Sequence, residues 1–535
     1  ITSTTQEDMI GGRRSPSTGT RYMLNDSCVN LFAVDCYSQS AYGDYENGAV
    51  MLEPSQREVT LNSFEFNIDG SRVDLEISLS NYERESDSIT DNTGFFANGG
   101  FLTGDIAGYY SDFGVGGIFG VPPRPYVAAN RQYENNGNVF EARLISEKSD
   151  TMDFVLGMFI QKDSLKRMQQ TLIKGTNAWN GYYYGVDYVV DPLEKDFDYV
   201  VSETIRQKAL YGEFTFHTSE VLDVTLGFRH FSLDATGNSD MTFALYGLAP
   251  SSGLHENKEQ DTLYKLNLAY MPEGNQTWYA TISEGFRRGG INAVPTEGTF
   301  IEEEGWVPFD SDRVLNYEFG RKGVTDSNIY YNLSFYKVLW KDPQLNTDTP
   351  NYSFYAVING DKAETQGIDV ELKGTIGKLD WDFGYARNKS ELTGDLFTPA
   401  STPLLYAPNG TSLPGTPENM LNAGLAYTSY FNNGWGIVHR GNLYHQSDMK
   451  NHLSTSQSYN QDLESFSILD ISSTLFNDDM YISLFIKNVA NERGVTGMFK
   501  SEAFGPDPSS GFYGSNDREF IALPRTVGIS IDKTF

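Results

Sequence analysis

The chain is short of cysteine, short of histidine and free of long apolar runs, and each shortage excludes something. Cys28 and Cys36 are the two cysteines in 535 residues, so neither a disulfide-dense scaffold nor a four-cysteine zinc site can be assembled. Seven residues separate the pair, in a segment that contains Asn, Asp and Ser. That spacing suits a disulfide stapling a loop in an oxidising compartment, with two free thiols as the alternative. The six histidines, His217, His230, His255, His439, His445 and His452, lack metalloprotease spacing, and no nucleophile elbow or phosphate-cradling loop occurs. The expectation is therefore not an enzyme, with no resident cofactor and no metal. His445 and His452 flank the base of a loop, where they could meet a ligand or be ordinary rim residues. No stretch of about 18 uninterrupted apolar residues is present, which excludes a helical membrane protein. Positive charge is scarce as well: 40 Lys and Arg face 71 Asp and Glu, a net charge of −31. That balance argues against nucleic acid and against docking on an anionic lipid surface.

What is present is a rhythm of two alternating stretches, a tight polar turn and a long connection, repeated down most of the chain. The C-terminal stretch shows it clearly, with Val527, Ile529, Ile531 and Phe535 on one face and Thr526, Gly528, Ser530, Asp532 and Thr534 on the other. Paired strands are expected at 57–67 with 71–84, 131–146 with 151–164, 201–217 with 221–236, 258–272 with 275–290, and 311–323 with 326–343. Further pairs fall at 362–376 with 377–392, 416–430 with 433–450 and 461–476 with 479–491, followed by a single strand at 520–535. Turns such as Asp69-Gly70-Ser71, Asn432-Asn433-Gly434 and Asn477-Asp478-Asp479 are short and polar, whereas the connections between pairs are long. Such asymmetry is that of an all-β, antiparallel up-and-down transmembrane β-barrel with short turns on one side of the membrane and long loops on the other. The 33 Tyr and 34 Phe fit this solvent. Tyr330, Tyr331, Phe335, Tyr336 and Trp340 on one strand, and Trp278 and Tyr279 on another, are read as interfacial girdles. The Glu302-Glu303-Glu304 run lacks EF-hand spacing and is read as a solvated loop.

From about residue 258 onwards the motifs resemble those of a TonB-dependent outer-membrane receptor. Tyr279 to Asn292 (Tyr-Ala-Thr-Ile-Ser-Glu-Gly-Phe-Arg-Arg-Gly-Gly-Ile-Asn) resembles that family's strand ending in Gly-Phe-basic-x-Gly-Gly-x-Asn. Asn316 to Lys322, Phe335-Tyr336 through Trp340-Lys341-Asp342, and Asn359 to Ala363 with Gly367 to Glu371 are similar to its later strand motifs, in order. Thr416-Pro417-Glu418-Asn419, Lys487-Asn488-Val489 and the terminal Pro-Arg-Thr-x-Gly complete the series. The resemblance implies a bacterial outer-membrane barrel of the 22-stranded, plugged type. It also implies uptake of a scarce bulky nutrient, energised by a TonB complex acting on a plug and a TonB-contacting box. Neither plug nor box is visible, and about 17 strands, with one or more before residue 57, can be read. The chain is therefore expected to hold an N-terminal segment, 1–56, carrying the Cys28–Cys36 staple, and a barrel, 57–535, without its plug and its first strands. An 18-stranded porin-like pore is the structural alternative, if the N-terminal stretch forms a single closing strand.

The partners so implied are the energy-coupling complex, outer-membrane lipid and a small extracellular ligand. Candidate ligand residues are Tyr109, Tyr110, Trp179, Tyr182, Tyr183 and Tyr184 in aromatic loops, where rigid rings bind flat or cyclic ligands at low entropic cost. Arg287 and Arg288, at a strand end, suit an anionic iron chelate, or are rim charges paired with nearby carboxylates. His255 reads as lying inside a long loop, and no haem motif accompanies it. A ferric siderophore is the leading ligand, with an oligosaccharide or cobalamin as alternatives.

Overall fold

In the computed structural model, the described residues are 52–91, 126–174, 177, 191–242, 248–272, 275–292, 294–349, 355–399, 401–453, 460–499 and 518–534, with short strands inside the first 41. They form one 18-stranded sheet. Its strands are β1 (Thr2–Gln6), β2 (Ser55–Ile68), β3 (Val73–Asp91), β4 (Tyr126–Ser146), β5 (Met152–Lys174), β6 (Lys195–Ser219), β7 (Leu222–Thr242), β8 (Ser251–Tyr270) and β9 (Gln276–Arg287). Then come β10 (Asp312–Val324), β11 (Tyr330–Lys341), β12 (Lys362–Ile376), β13 (Leu379–Leu392), β14 (Asn419–Tyr430), β15 (Gly436–Gln446), β16 (Phe466–Phe476), β17 (Met480–Lys487) and β18 (Thr526–Lys533). Each pairs antiparallel with the next in sequence, from β1 on β2 to β17 on β18. Every hairpin expected from the sequence is present. The count of eighteen is compatible with the porin-like alternative, so strand number alone does not separate the two readings.

The short turns share one end of the sheet. Their chemistry is that of forced reversals: Gly377 and Gly434 adopt φ of +63° and +82°, and the Asn477 side chain accepts the Asp479 and Met480 N–H groups at 3.0 and 2.8 Å.

Alternation gives the sheet two unlike faces. On one, Leu79, Leu144, Met158, Ile160, Leu210, Phe228, Tyr264, Phe319, Phe335, Leu425, Leu484 and Val527 stand exposed, a face suited to lipid. The other is polar and carries a recurring joint in which a tyrosine lies flat over a glycine of the adjacent strand. Tyr82 covers Gly137, Tyr211 covers Gly157, Tyr279 covers Gly320 and Tyr336 covers Gly367, each where a Cβ would collide with the ring. The hydroxyls of Tyr82, Tyr211 and Tyr279 donate to Asp163, Glu141 and Glu318. Tyr279 and Tyr336 therefore face inward, correcting their assignment to the girdle. Trp278 and Phe319 remain at the turn end on the outer face, 6.0 Å apart, whereas Tyr430, Phe476 and Tyr481 meet one another on the inner face further round.

The strands also differ in height. β6 has 25 residues and β18 has 8. On β3 to β8 the outer apolar row ends near Leu79, Phe140, Ile160, Leu210, Phe228 and Tyr264, and the same face continues upward as Asn81, Asn138, Lys162, Arg206, Asp234 and Lys258. The tall strands thus rise beyond the lipid band. At that level the β8–β9 ladder stops, its last pair being Lys265 with Ser283. The next free donor, the Tyr264 N–H, is taken by the Glu284 carboxylate at 2.8 Å, as an edge leaving the membrane requires.

Above the split, the connection 288–311 covers the β8 edge. Ser252 bridges to Glu297, and Asn257 Nδ2 donates to the Phe309 carbonyl at 3.1 Å. Four connections then share one apolar core: Val294, Trp306 and Val307 from the first, Leu345, Ala356 and Ile358 from the second, Leu396, Ala407 and Leu413 from the third, and Leu453 from the fourth, with Trp340 packed against them. Trp340 belongs to this layer rather than to a girdle. Glu302 is buried too and accepts from Thr349 Oγ1 at 2.7 Å, while Glu303 accepts from Ser401. Glu302 and Glu303 are thus loop fasteners, while Glu303 and Glu304 stay exposed as a solvated stretch would.

Candidate ligand-binding site

At the loop end, the inner face of β6 and the start of the 288–311 connection enclose a cavity of about 650 Å³. Aromatic walls come from Phe197, Tyr199, Phe309 and Tyr355, and cationic groups from Arg167, Arg287 and Arg288. Glu203 and Gln344 complete the polar lining. A volume of this size suits a small organic ligand, since such sites run from about 300 to 1,000 Å³.

The two arginines expected to bind ligand are brought to this cavity but play different parts. Arg287, the last residue of β9, is clamped by Asp312 at the start of β10: its backbone N–H and Nε donate at 3.1 and 2.9 Å, and its Nη2 also reaches the carboxylate. Asp312 is almost fully buried and additionally accepts from Trp340 Nε1 and the Gln344 N–H, at 2.9 and 3.1 Å. The Trp340 ring lies 4.9 Å below the guanidinium. Arg287 is thus a paired rim charge that holds the loop base to the wall. Arg288 is freer. Its nearest acidic partner is Asp163 at 3.8 Å, a carboxylate already engaged by Tyr82 and Gln161.

Tyr109, Tyr110, Trp179, Tyr182, Tyr183 and Tyr184 lie outside the described residues, as do Cys28 and Cys36. His255 lies on β8, not in a loop, and is buried with Nε2 3.3 Å from the Val294 carbonyl. His445 bonds Ser467 at 2.9 Å, and His452 packs edge-on against Tyr406; both are rim contacts. Among the described residues no group of three or more His, Cys, Asp or Glu could hold a metal ion. The sequence reading missed Arg167, Phe197, Tyr199, Phe309 and Tyr355. Phe197 and Tyr199 alternate on the upper half of β6, a region read as loop, so their shared face was hidden.

Several motif residues prove to be architectural. Asn292 is buried, donates to the Trp306 and Val357 carbonyls at 2.8 and 2.6 Å, and accepts from the Val357 N–H at 2.8 Å. One amide therefore sews two connections together beside the cavity. Asn488, at φ of +50°, donates to the Glu492 and Leu523 carbonyls at 2.8 and 2.9 Å.

This arrangement has known relatives. A family model described as TonB dependent receptor-like, beta-barrel, matches residues 10–491. The chain belongs to the TonB-dependent receptor β-barrel family. It is accordingly a barrel of the outer membrane of Gram-negative bacteria, from a family of receptors and transporters, and the connections at the cavity end are its extracellular loops. The pesticin receptor of Yersinia enterocolitica is 26% identical over 246 residues, 46% of this receptor chain and 32% of that protein. This chain thus aligns to about a third of the length of that curated relative. In fold, the receptor is similar to the ferric yersiniabactin uptake receptor of Yersinia pestis, with a TM-score of 0.65 at 17% identity, covering 92% of this chain and 63% of that one. It is also similar to a siderophore receptor from Acinetobacter baumannii, with a TM-score of 0.61 at 13% identity, covering 99% and 70%. A ferric-catecholate import receptor from Escherichia coli K12 gives a TM-score of 0.62 at 12% identity, covering 100% and 71%.

Proposed function

We propose that this receptor captures a ferric siderophore at the cell surface and passes it inward, with a TonB-type complex supplying the work through a plug. The observation that carries the reading is the cavity at the mouth, where Arg288 and Arg167 face aromatic walls. Ferric chelates of this kind are anionic and many carry aryl groups, so guanidinium charge and aromatic faces recognise both features at once. Relatives of the same fold bear the names of ferric yersiniabactin, siderophore and ferric-catecholate receptors. Arg288 is assigned the ligand contact and Arg287 the support beneath it.

Uptake of radioactive iron by whole cells tests the proposal. Iron supplied as aryl-bearing chelates should accumulate in a manner abolished by deleting the energy-coupling complex. Arg288→Gln should lower uptake about ten-fold, the worth of one lost charged hydrogen bond in a dry site. Uptake indifferent to that complex would leave a passive pore. Induction of the receptor by glycan rather than by iron starvation would turn the aromatic walls into sugar-stacking surfaces.

A further inference from the structure

The acidity of the whole chain conceals a local exception on the outer face of the wall. Lys162 on β5 is the direct cross-strand partner of Arg206 on β6, and Lys208 is the partner of Ile160 one step lower on the same face. All three are exposed. Among the described residues no ion pair or hydrogen bond engages any of the three side chains. The nearest carboxylate on this face is Asp234, cross-strand from Arg206 on β7, and it closes no ion pair with it. Higher up, Lys166 stands beside Glu134. Like charges directly opposite one another, with Cβ atoms about 5 Å apart, destabilise a sheet. An arrangement of this kind is relieved by an anion lying between the two strands.

The position says which anion. Immediately below the cluster, Met158, Ile160 and Leu210 are 38%, 40% and 60% exposed and belong to the lipid-facing row. The three cations therefore stand where that row ends, at the level of the outer-leaflet headgroups. We propose that Lys162, Arg206 and Lys208 form a site for the phosphate groups of an outer-leaflet phosphorylated glycolipid whose acyl chains lie against Met158, Ile160 and Leu210. Arg206 offers a planar fork to phosphate oxygens, and the two lysines add point charges on either side. A net charge that disfavours docking on an anionic surface thus coexists with one built attachment to it.

Diphosphoryl lipid A, added to the purified receptor in detergent and followed by native mass spectrometry and by the thermal unfolding midpoint, is the probe. The wild type should retain lipid A and unfold at a higher temperature with it. Lys162→Gln/Arg206→Gln/Lys208→Gln should weaken retention about ten-fold or more, the loss expected for several charge-assisted hydrogen bonds. Lys162→Arg/Lys208→Arg should keep it, and Lys258→Gln, whose lysine is paired with Glu256, should leave it unchanged. Retention by the triple variant equal to wild type overturns the proposal. Inorganic phosphate raising the midpoint as much as lipid A overturns the lipid assignment in favour of a free anion. Without lipid, Lys162→Gln alone should raise the midpoint by removing the repulsion, and a fall would overturn the argument even if the triple variant failed to fold.

Discussion

At the residue scale, the motifs that give the family its signature serve architecture more than ligand. Gly320 is glycine because the Tyr279 ring occupies the place of its side chain: a Cβ there would lie 2.5 Å from the ring. Glu318, two residues earlier, receives the same tyrosine's hydroxyl at 2.7 Å. The Glu-x-Gly part of the motif is thus one half of a joint whose tyrosine comes from the neighbouring strand, and Tyr336 over Gly367 repeats the ring-over-glycine contact. Gly320→Ala should destabilise the barrel by about 1–3 kcal/mol, the usual penalty of overpacking, measured by urea unfolding in detergent micelles. Adding Tyr279→Ala should remove that penalty, so that the double variant is no worse than Tyr279→Ala alone. A full additive loss would show that the glycine serves some other need. These joints were not legible beforehand, because cross-strand proximity depends on register, and the motif alone does not say that Tyr279 and Gly320 are opposite one another.

At the scale of the element, the hairpins were legible and their heights were not. Period-two alternation with one apolar face marks the membrane part of each strand, and the polar turns mark its lower end. Above the lipid the outer face of β3 to β8 turns polar, the inner face of β6 to β8 keeps small buried apolar clusters such as Ile205 with Leu233 and Ala235, and strand continues where the sequence reads as loop. Residues 251–257, the upper end of β8, are one such stretch. The boundary between the two regimes lies between Ile160 and Lys162 on β5. In intact cells, Lys162→Cys should react with a membrane-impermeant maleimide above the background of Cys28 and Cys36, and Ile160→Cys should not. Equal labelling of the two would place the lipid boundary elsewhere.

For the whole molecule, the wall and the loop layer obey different physics. Each strand of the wall from β2 to β17 is held by its two neighbours, whereas the loop layer is held by one apolar core drawn from four connections scattered between residues 294 and 453. No periodicity links Val294, Trp306, Leu345, Ile358 and Leu396, which is why this core, and the cavity beside it, could not be read from the sequence. Leu396→Ala, at a site 1% exposed, should lower the local stability of the layer by about 2–5 kcal/mol. Hydrogen exchange should then quicken together at amides of 290–309, 344–359 and 392–413 while β14 to β18 stay protected. Acceleration confined to 392–413 would show the four connections to be independent.

The shared core also bears on what the outside world can do to this receptor. Gly290, Ile291, Asn292, Phe309, Gln344, Tyr355 and Val357 line the cavity, and all of them sit on connections anchored in that core. An antibody or a phage tail fibre that pries up the 393–418 connection, far from the arginines in sequence, would loosen the chamber wall through Leu396 and Leu413. Blockade of the proposed uptake from such a remote epitope needs no overlap with the ligand, and a cell evading the antibody by altering that loop would be constrained to keep its apolar root.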